Sequence, residues 1–426
     1  MVSVCFYFQV HQPYRLRRYS VFEIGRNSNY FNEERNMHEL RKIAEKCYLP
    51  ANMLMLELLN RHKEFRIAYS FSGVVLEQFE QSMPDVLRSF QDLASTGRVE
   101  ILDETYYHSL SFLYSKDEFR KQVALHRAAI KRLFNYSPQV FRNTELVYNN
   151  ELAHFIEEMG YKGILAEGAD HILGWRSPNF IYKPKTTEHV KLLLKNYKLS
   201  DDIAFRFSNR GWEEWPLTAP KFSQWVSAVN GNGQTVNLFM DYETFGEHQW
   251  EDTGIFEFMR YLPGELLKHP DNNFKTPSEV IDTYPTMAEL DMHSIVSWAD
   301  IERDLSAWLG NNMQQSAINK LYALERAVIK SRDKELIKAW RRLQISDHFY
   351  YMCTKWFNDG DVHKYFNPHD SPYEAFISFM NVLNDLEIRA RKALRKSSTE
   401  NSVLDNRGAG ASGSLQRQQP SYNGLT

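Results

Sequence analysis

Polar and acidic side chains follow several short apolar segments of this chain, at the points where those segments end. The runs concerned are His11-Gln12-Pro13-Tyr14-Arg15, Asp103-Glu104, Tyr106-Tyr107-His108, Glu145, and Asp241 through His248. In folds built of parallel strands and helices, ligand-binding and catalytic side chains lie at the carboxyl ends of the strands. Random placement would scatter such residues over both ends, so the pattern favours an acid–base site built from carboxylates.

Each of these residues also has a structural explanation. A carboxylate directly after a strand often caps the next helix, which would account for Glu145 or Asp241 taken singly. His11 by itself is typical of a hydrogen-bonded loop histidine, and the pair Tyr106-Tyr107 is compatible with a core. Four such strand ends in one chain favour the catalytic interpretation over four separate structural ones.

Carboxylates without a CxxC or HExxH motif are compatible with two kinds of hydrolysis. In glycoside hydrolysis, one carboxylate attacks the anomeric carbon and a second carboxyl protonates the leaving oxygen. In metal-assisted hydrolysis, such as sugar deacetylation, an Asp and two His hold the ion, and His11, His108 and His248 are the candidates. No two histidines lie at i, i+4 on a helix near a strand end. The metal-dependent alternative therefore ranks second, and no metal or cofactor is predicted.

Short apolar segments alternate with segments of helical period along the first two thirds of the chain. The predicted strands are Val2–Phe8, Phe65–Phe71, Val99–Leu102, Val140–Arg142, Gly163–Leu165 and Val236–Met240. Glu34–His62 and Lys116–Phe134 have apolar residues every three or four positions, which is typical of amphipathic helices. This alternation predicts an α/β fold of parallel strands with helices outside, as a barrel or a doubly wound sheet. No GxGxxG, GxxxxGKS or GxxxxGKT motif follows a strand, which argues against a nucleotide-binding sheet.

Strand signals end near Asp291, and helical spacing dominates after that point. The predicted helices are Ile301–Met313, Ala317–Lys330, Lys334–Tyr351 and Glu374–Leu394. Residues 396–426 contain few large apolar side chains, so they are predicted to be disordered. The sequence therefore divides into an α/β domain at 1–290, a helical domain at 291–395 that contributes to the cleft, and a tail at 396–426.

The composition excludes several classes of protein. Among 426 residues, 51 basic and 54 acidic side chains give a net charge of −3, so neither a nucleic acid nor an anionic membrane is an expected partner. No apolar window is long enough for a transmembrane helix. Cys5, Cys47 and Cys353 are too few and too far apart for a disulfide framework or a zinc site. Reduced, buried thiols and a cytoplasmic location are predicted.

Five segments, in order, resemble the motifs of glycoside hydrolase family 57, the amylase and glucanotransferase family. They are His11-Gln12-Pro13, Gly97-Arg98-Val99-Glu100-Ile101, Thr144-Glu145-Leu146-Val147-Tyr148, Met240-Asp241-Tyr242-Glu243 and Asp347-His348-Phe349-Tyr350. One His-Gln-Pro triplet carries no information, whereas five ordered segments within residues 1–395 are a specific signal. The longer run from Met240 to His248 most resembles the α-amylase branch.

This resemblance implies a fold, a reaction and two roles. The implied fold is an incomplete (β/α)7 parallel barrel followed by a C-terminal helical bundle. The implied substrates are α-1,4-linked glucans or maltooligosaccharides, cleaved with retention of configuration and without a metal. The family's nucleophile falls on Glu145 and its general acid/base on Asp241. One departure is that Arg142-Asn143-Thr144 stands where many members carry a tryptophan, which leaves a sugar-stacking contact at that position open.

Further residues are predicted to bind the substrate. Aromatic side chains make up 14% of the chain, and flat rings stack on the apolar faces of sugars. Trp212, Trp215, Trp250 and Tyr242 are candidates for such stacking, with core packing as the alternative for each. The full set of predicted substrate-binding residues is His11, Gln12, Glu100, Trp212, Tyr242, Trp250, Asp347 and His348.

Spacing in the fifth segment places one carboxylate on an inward helix face. Leu336, Trp340, Leu343 and Asp347 stand at i, i+4, i+7 and i+11. A buried carboxylate needs a partner, and pairing with an arginine is the structural alternative. The resemblance favours the functional interpretation, in which Asp347 binds a sugar hydroxyl or influences the pKa of the acid.

Three alternatives to glycoside hydrolysis stay open at this point. A second sugar in place of water would make the protein a 4-α-glucanotransferase on the same substrates. A catalytically weak relative would only bind glucans, and a metal-dependent deacetylase would need an ion. The oligomeric state and the preferred chain length have no signature in the sequence.

Overall fold

The computed structural model of the chain describes residues 1–355, 367–410 and 424. The strands are β1 (Val2–Val10), β2 (Ile67–Phe71), β3 (Val99–Ile101), β4 (Val140–Arg142), β5 (Gly163–Glu167), β6 (Tyr182–Pro184), β7 (Lys191–Lys195), β8 (Thr235–Asp241), β9 (Asn272–Phe274) and β10 (Ala288–Leu290). Each predicted strand is present, whereas β6, β7, β9 and β10 have no counterpart among the predicted ones.

Seven of the strands found in the described residues close into a parallel barrel. β3, β2, β1 and β8 pair in that order, and so do β4, β5 and β7. A parallel bridge between Asp103 and Phe141 joins β3 to β4. The Asn196 amide donates to the Asn237 carbonyl at 2.9 Å and so joins the end of β7 to β8. The predicted (β/α)7 barrel is confirmed.

Successive side chains of each strand point alternately into the barrel interior and into the layer between the strands and the outer helices. Cys5 and Tyr7 of β1 pack inside the barrel with Phe239, while Phe6 and Phe8 pack under the outer helices. The same period of two turns polar side chains inward at the carboxyl ends of the strands. These residues are Gln9, Ser70, Arg142, Glu167, Lys195 and Asp241.

Helices surround the barrel and then form the C-terminal part of the chain. Around the barrel they are α1 (Glu33–Ile43), α2 (Leu49–Arg61), α3 (Gly73–Ser82), α4 (Pro84–Ser95), α5 (Lys116–Phe134), α6 (Asn150–Glu158), α7 (Asp170–Leu173), α8 (Tyr197–Asp201), α9 (Ala219–Ser227), α10 (Ile255–Leu267) and α11 (Pro277–Thr283). Further on they are α12 (Ser306–Leu309), α13 (Asn312–Ala323), α14 (Glu325–Ser331), α15 (Lys334–Arg342), α16 (Asp347–Tyr350) and α17 (Pro372–Gly410).

The C-terminal helices differ from the predicted ones in several places, and the predicted helix Ala317–Lys330 is divided at Leu324 between α13 and α14. Residues 301–305 are turns and bends, so the predicted helix Ile301–Met313 is wrong at its start. α15 ends four residues before α16 begins, so a continuous helix Lys334–Tyr351 is wrong as well. α17 runs to Gly410, into the segment predicted to be disordered, and the rest of that segment apart from Gly424 lies outside the described residues. The boundary at residue 290 stays a prediction.

Two ion pairs fasten α15 to the barrel layer. Arg341 donates to both carboxylate oxygens of Glu118, at 2.8 and 3.1 Å, and Arg342 donates to Glu77 at 3.0 Å. Trp340, directly before them in the sequence, is fully buried in the apolar core of the C-terminal helices. These contacts hold the start of α16 over the carboxyl end of the barrel.

The cysteines and helices agree with the expectations drawn from composition. Cys5, Cys47 and Cys353 are all buried, and none of them forms a disulfide. Burial raises the pKa of the Cys5 and Cys47 thiols, which keeps both in the unreactive thiol form. Within the part of the chain that the structure describes, no helix is both long and apolar enough to span a membrane.

Gly246 lets the segment after β8 approach the π-helical turn Ala44–Tyr48. Its φ is +114°, and a Cβ at this position would overlap the carbonyl oxygen of Lys46. Gly246→Ala is expected to lower the free energy of unfolding by more than about 3 kcal/mol, because backbone strain and overlap add. Denaturant unfolding measures the loss. The control Gly25→Ala has φ +79° but open space around its Cβ, so a cost of about 1 kcal/mol is expected. Equal losses in both variants would contradict the packing argument.

Candidate active site

A cavity of about 140 Å³ opens at the carboxyl end of the barrel, beneath the C-terminal helices. Its lining residues are Gln9, His11, Gln12, Pro13, Arg15, His108, Glu145, Asp241, Glu243, His248, Trp298, Asp347 and Tyr351. One water needs only about 15 Å³ of such space, so the cavity can hold a much larger ligand. Five residues predicted from the sequence meet here: Glu145, Asp241, His11, Gln12 and Asp347.

Glu145 lies in a strained turn directly after β4. The turn, Thr144–Leu146, is a single 3₁₀ turn in which Glu145 has a φ of 58° and Leu146 a φ of 52°. Left-handed backbone costs a non-glycine residue about 1 kcal/mol or more, so it persists only where the surroundings hold it. The Trp298 amide holds it here by donating to the Glu145 carbonyl at 3.2 Å. Such strain is typical of functional positions.

Three donors hold the Glu145 carboxylate. His108 Nε2 and Ser346 Oγ lie 3.2 and 3.3 Å from Oε1, and Trp298 Nε1 donates to Oε2 at 2.8 Å. Burial alone would raise the pKa of Glu145. The hydrogen bonds from His108 and Trp298 and the charges of His108 and Arg142 outweigh burial and lower it. Glu145 is therefore ionised at neutral pH.

His108 lies between two carboxylates. Its Nδ1 is 2.9 Å from Glu104 and its Nε2 is 3.2 Å from Glu145. An ionised carboxylate only accepts hydrogen bonds, so both ring nitrogens carry protons and the ring is a cation. Burial opposes the charge, but the two glutamates raise the pKa of His108 to about 9. The site thus has a fixed positive charge beside Glu145.

Asp241 ends β8 and lines the same cavity as Glu145. Burial raises the pKa of Asp241 and the charge of Glu145 raises it further, whereas His248, Arg142 and Lys195 act in the opposite direction. The two carboxyl groups therefore have pKa values displaced in opposite directions. Two carboxyl groups in one cavity with pKa values displaced in opposite directions are the arrangement that a nucleophile and an acid require in glycoside hydrolysis.

Glu243 is a further buried carboxyl of the cavity, two residues after Asp241. Its Oε1 accepts hydrogen bonds from the Tyr48 hydroxyl and, at 3.3 Å, from Gln12 Nε2. Burial and the neighbouring Asp241 raise the pKa of Glu243 to about 8. Arg15 holds the other end of the Gln12 amide by donating to Oε1 at 3.0 Å. Glu243 is thus a group that retains a proton near neutral pH.

His11 connects the barrel to the C-terminal helices. Its Nε2 lies 2.9 Å from Asp347, its Nδ1 lies 2.6 Å from Ser72 Oγ, and its ring stacks on His108 with centroids 4.0 Å apart. Burial and the charge of His108 lower the pKa of His11. The neutral ring donates from Nε2 to Asp347 and accepts from Ser72. Asp347 thus reaches the cavity from the start of α16, not from a continuous helix face, and its partner is His11 rather than an arginine.

Glu100 and Tyr242 do not line the cavity, and each has a structural partner elsewhere in the fold. That they bind substrate therefore stays a prediction. Glu100 accepts from the amide and hydroxyl of Ser278 at the start of α11, at 2.8 and 2.9 Å. Tyr242 is fully buried and donates to Asn52 at 2.8 Å. Alternation explains the position of Tyr242, because Asp241 faces the cavity and the next side chain faces the outer core.

Trp212 and His348 are also structural in this fold. The Trp212 ring packs edge-on to Trp225 with centroids 6.1 Å apart. His348 Nε2 donates to the Arg342 carbonyl at 3.2 Å, and the His348 ring contacts Phe379. Neither lines the cavity, and burial lowers the pKa of His348 to about 4, so its ring is neutral. The His-Phe pair of the fifth motif faces the helical core.

Trp250 and Trp215 lie on the surface. Trp250 is 54% exposed, follows the cavity residue His248 by two positions, and has Lys46 Nζ 5.0 Å from its ring centroid. Trp215 is 42% exposed. Neither lines the cavity itself, so any contact with sugar would lie beyond the ring that the cavity holds.

Sequence reasoning misses two residues that hold the Glu145 carboxylate. His108 follows β3 and is visible as a strand-end histidine, but its role depends on Glu104 and Glu145 being on either side of it. Trp298 lies in a loop without strand or helix period, and no sequence signal marks it. The segment Arg142-Asn143-Thr144, directly before Glu145, contains no aromatic residue. The Trp298 indole, from a distant part of the sequence, places an aromatic ring next to Glu145 instead.

The histidines of the cavity have partners other than a metal. His11 and His108 each contact a carboxylate and stack on one another. Among residues 1–355, 367–410 and 424, no group of three or more His, Cys, Asp or Glu side chains has a geometry that could hold a metal ion.

Comparisons with known proteins agree with this geometry. The family model described as Glycosyl hydrolase family 57 matches residues 5–293. A protein of Methanocaldococcus jannaschii named "Putative alpha-amylase" is 43% identical over 410 residues, which are 92% of this chain and 86% of that protein. Among solved structures, the GH57-type branching enzyme of Pyrococcus horikoshii aligns with TM-score 0.64 at 16% identity, over 91% of this chain and 94% of that one. The 4-alpha-glucanotransferase of Thermococcus litoralis aligns with TM-score 0.63 at 16% identity, over 89% and 60%.

The fold and the paired carboxyl groups define the class of protein as a glycoside hydrolase. The match over residues 5–293 and the relative at 43% identity then make the assignment specific. The chain belongs to glycosyl hydrolase family 57.

Proposed function

We propose that this chain cleaves α-1,4-glucans by a retaining, α-amylase-type mechanism, with Glu145 as nucleophile and Asp241 as general acid/base. The observation that supports this most is that two carboxyl groups line one cavity with pKa values displaced in opposite directions. The name of the relative at 43% identity points to the same activity.

The proposed reaction proceeds in two displacements. Glu145 attacks C1 of the sugar in the cavity while Asp241 gives its proton to the glycosidic oxygen, so that the glycosidic bond breaks and a covalent glycosyl-enzyme forms. Asp241, now ionised, takes a proton from water, and that water attacks C1. The product leaves with its original configuration, and Glu145 is ionised again.

Other cavity residues supply hydrogen bonds to the sugar. His11, Gln12, Asp347 and Glu243 line the cavity and present polar atoms to it, so they are the proposed contacts of the sugar hydroxyls. Trp250 is exposed near the cavity and is proposed to stack on sugars outside it.

Product analysis on maltoheptaose tests the proposal. Shorter oligosaccharides alone are the expected result, because water is the proposed acceptor. Longer products as well would show sugar transfer and make the protein a 4-α-glucanotransferase, and an unchanged substrate would favour a glucan-binding relative. A chelator in parallel is expected to leave the rate unchanged. Loss of activity with the chelator would favour the metal-dependent alternative.

His108→Gln is expected to lower kcat/KM at neutral pH by at least about tenfold and to move the acid limb of its pH profile to higher pH. The nucleophile must be ionised, and removing the cation raises the pKa of Glu145, so the variant loses activity sooner as the pH falls. Initial rates from pH 4 to 9 measure the limb. The control His154→Gln, an exposed histidine on α6, should match the wild type. An unchanged acid limb in His108→Gln would show that His108 does not set the charge of Glu145.

A further inference from the structure

Four charged residues form a cluster beside the cavity without lining it. This charge cluster consists of Glu167 at the end of β5, Lys195 at the end of β7, Asp201 at the end of α8, and Arg303. Lys195 Nζ donates to one oxygen of Asp201 at 3.0 Å, and Arg303 Nη2 to the other at 3.3 Å. The same two cations lie 3.8 and 3.7 Å from Glu167 Oε2. Because each charge is compensated, the cluster holds its members in one arrangement.

Arg303 connects the charge cluster to Trp298. Both belong to a loop at residues 297–304, called the Trp298 loop below, in which Arg303 Nη1 donates to the Trp298 carbonyl at 2.6 Å. The Ser297 amide donates to the Arg303 carbonyl at 3.1 Å and closes the loop. Arg303 has a φ of 53°, a left-handed value that only specific contacts maintain. The Arg303 guanidinium is therefore one of the groups that fasten the loop to the barrel.

Trp298 in turn holds Glu145 at two points. The indole Nε1 donates to the carboxylate at 2.8 Å, and the Trp298 amide donates to the Glu145 carbonyl at 3.2 Å. The indole ring lies between two cations, with the Arg142 guanidinium carbon 4.9 Å and Lys195 Nζ 5.4 Å from its centroid. A shift of this loop would therefore change the direction and the hydrogen bonding of the Glu145 carboxylate.

We infer that Arg303 is a positioning residue: it fixes the indole of Trp298 and, through it, the carboxylate of Glu145. This inference rests on the proposed function, because it concerns the nucleophile of that reaction. Arg303 does not line the cavity or contact Glu145, but it donates directly to the Trp298 carbonyl, and this is the contact through which we infer that it acts on Glu145. The effect of a substitution at Arg303 on kcat/KM is therefore expected to depend on the presence of the Trp298 indole.

A double-mutant cycle between Arg303 and Trp298 tests this dependence. Arg303→Lys keeps a positive charge near Glu167 and Asp201 but loses the fork that reaches the Trp298 carbonyl. It is expected to lower kcat/KM on maltoheptaose about tenfold, the size of effect of a lost hydrogen bond to a charged group. In a Trp298→Phe background, the same substitution is expected to change kcat/KM by less than about twofold.

The pH profile separates positioning from a purely structural role. Trp298 is one of the donors that lower the pKa of Glu145. Arg303→Lys is therefore expected to move the acid limb of kcat/KM to higher pH. The charged groups that face Glu145, namely His108, Arg142 and Asp241, are the same in the variant. The matched control Arg206→Lys removes another Arg–Asp pair, that of Arg206 with Asp202, and should leave the limb in place.

Several outcomes would overturn the inference. Equal losses of kcat/KM in both backgrounds would show that Arg303 does not act through the indole, and a lower melting temperature with unchanged kinetics would show a structural role only. If Arg303→Lys does not fold, Asp201→Asn replaces it in the cycle with the same expectations. Hydrogen exchange of residues 297–304 is expected to be faster in either variant, with or without turnover. If the wild type shows no turnover but the variants still show faster hydrogen exchange in residues 297–304, the proposed function is refuted. The inference that Arg303 holds the loop is then not refuted.

Discussion

Glu145→Gln is expected to lose at least about three orders of magnitude of kcat on maltoheptaose while the fold stays intact. Glutamine has the shape of the carboxylate, and its amide oxygen can still accept a hydrogen bond from Trp298. An amide oxygen is nevertheless a poor nucleophile, so the covalent glycosyl-enzyme does not form. Initial rates and the melting temperature, measured together, separate loss of chemistry from loss of structure.

The matched control for this experiment is Glu34→Gln, an exposed glutamate in the first turn of α1. It is expected to match the wild type in rate and stability, because surface substitutions away from special contacts change stability by less than about 0.5 kcal/mol. Near-normal turnover of Glu145→Gln would mean that the nucleophile is another carboxylate of the cavity.

The barrel is predictable from the sequence because most of its strands have a strong local signature. β1 is a nine-residue run of buried side chains, typical of a parallel strand covered on both faces. β7 belongs to the same barrel but is flanked by lysines, and one of them, Lys195, is buried only because the charge cluster compensates it. β9 spans three residues and contains two asparagines, so its strand structure depends on pairing with β1. Such pairing leaves no periodic signal.

The positions of the two proposed catalytic carboxyl groups can be predicted from the sequence, whereas the position of Trp298, which holds one of them, cannot. Glu145 and Asp241 follow strands directly, so the topology brings them to one end of the barrel without further information. Trp298 reaches Glu145 from a loop 153 residues further along the chain, and Arg303 is inferred to help hold that loop in place. Tyr242 shows the opposite case, since adjacency to Asp241 in the sequence puts its side chain on the other face of the strand.

Asp241→Asn is expected to lose about three orders of magnitude on maltoheptaose, and far less in the phenol burst from an aryl α-maltooligoside. A sugar leaving group needs a proton from Asp241, whereas a phenolate of low basicity leaves without one. The pH dependence of activity gives a second test of the role of Asp241. The acid must be protonated, so activity falls as the pH rises through the pKa of Asp241, which burial has raised. This basic limb is expected to be absent in the variant, since asparagine does not titrate.

Glu243 is a second candidate for the proton donor, and the same pH profiles distinguish it from Asp241. Its pKa of about 8 would also give a basic limb, and it lines the same cavity. Its Oε1, however, already accepts from Tyr48 and Gln12, which directs that oxygen towards the barrel wall rather than towards a glycosidic oxygen. Glu243→Gln is therefore expected to raise KM and to keep the basic limb. If Glu243→Gln loses the limb and Asp241→Asn retains it, the proton donor is Glu243, and the role proposed for Asp241 is wrong.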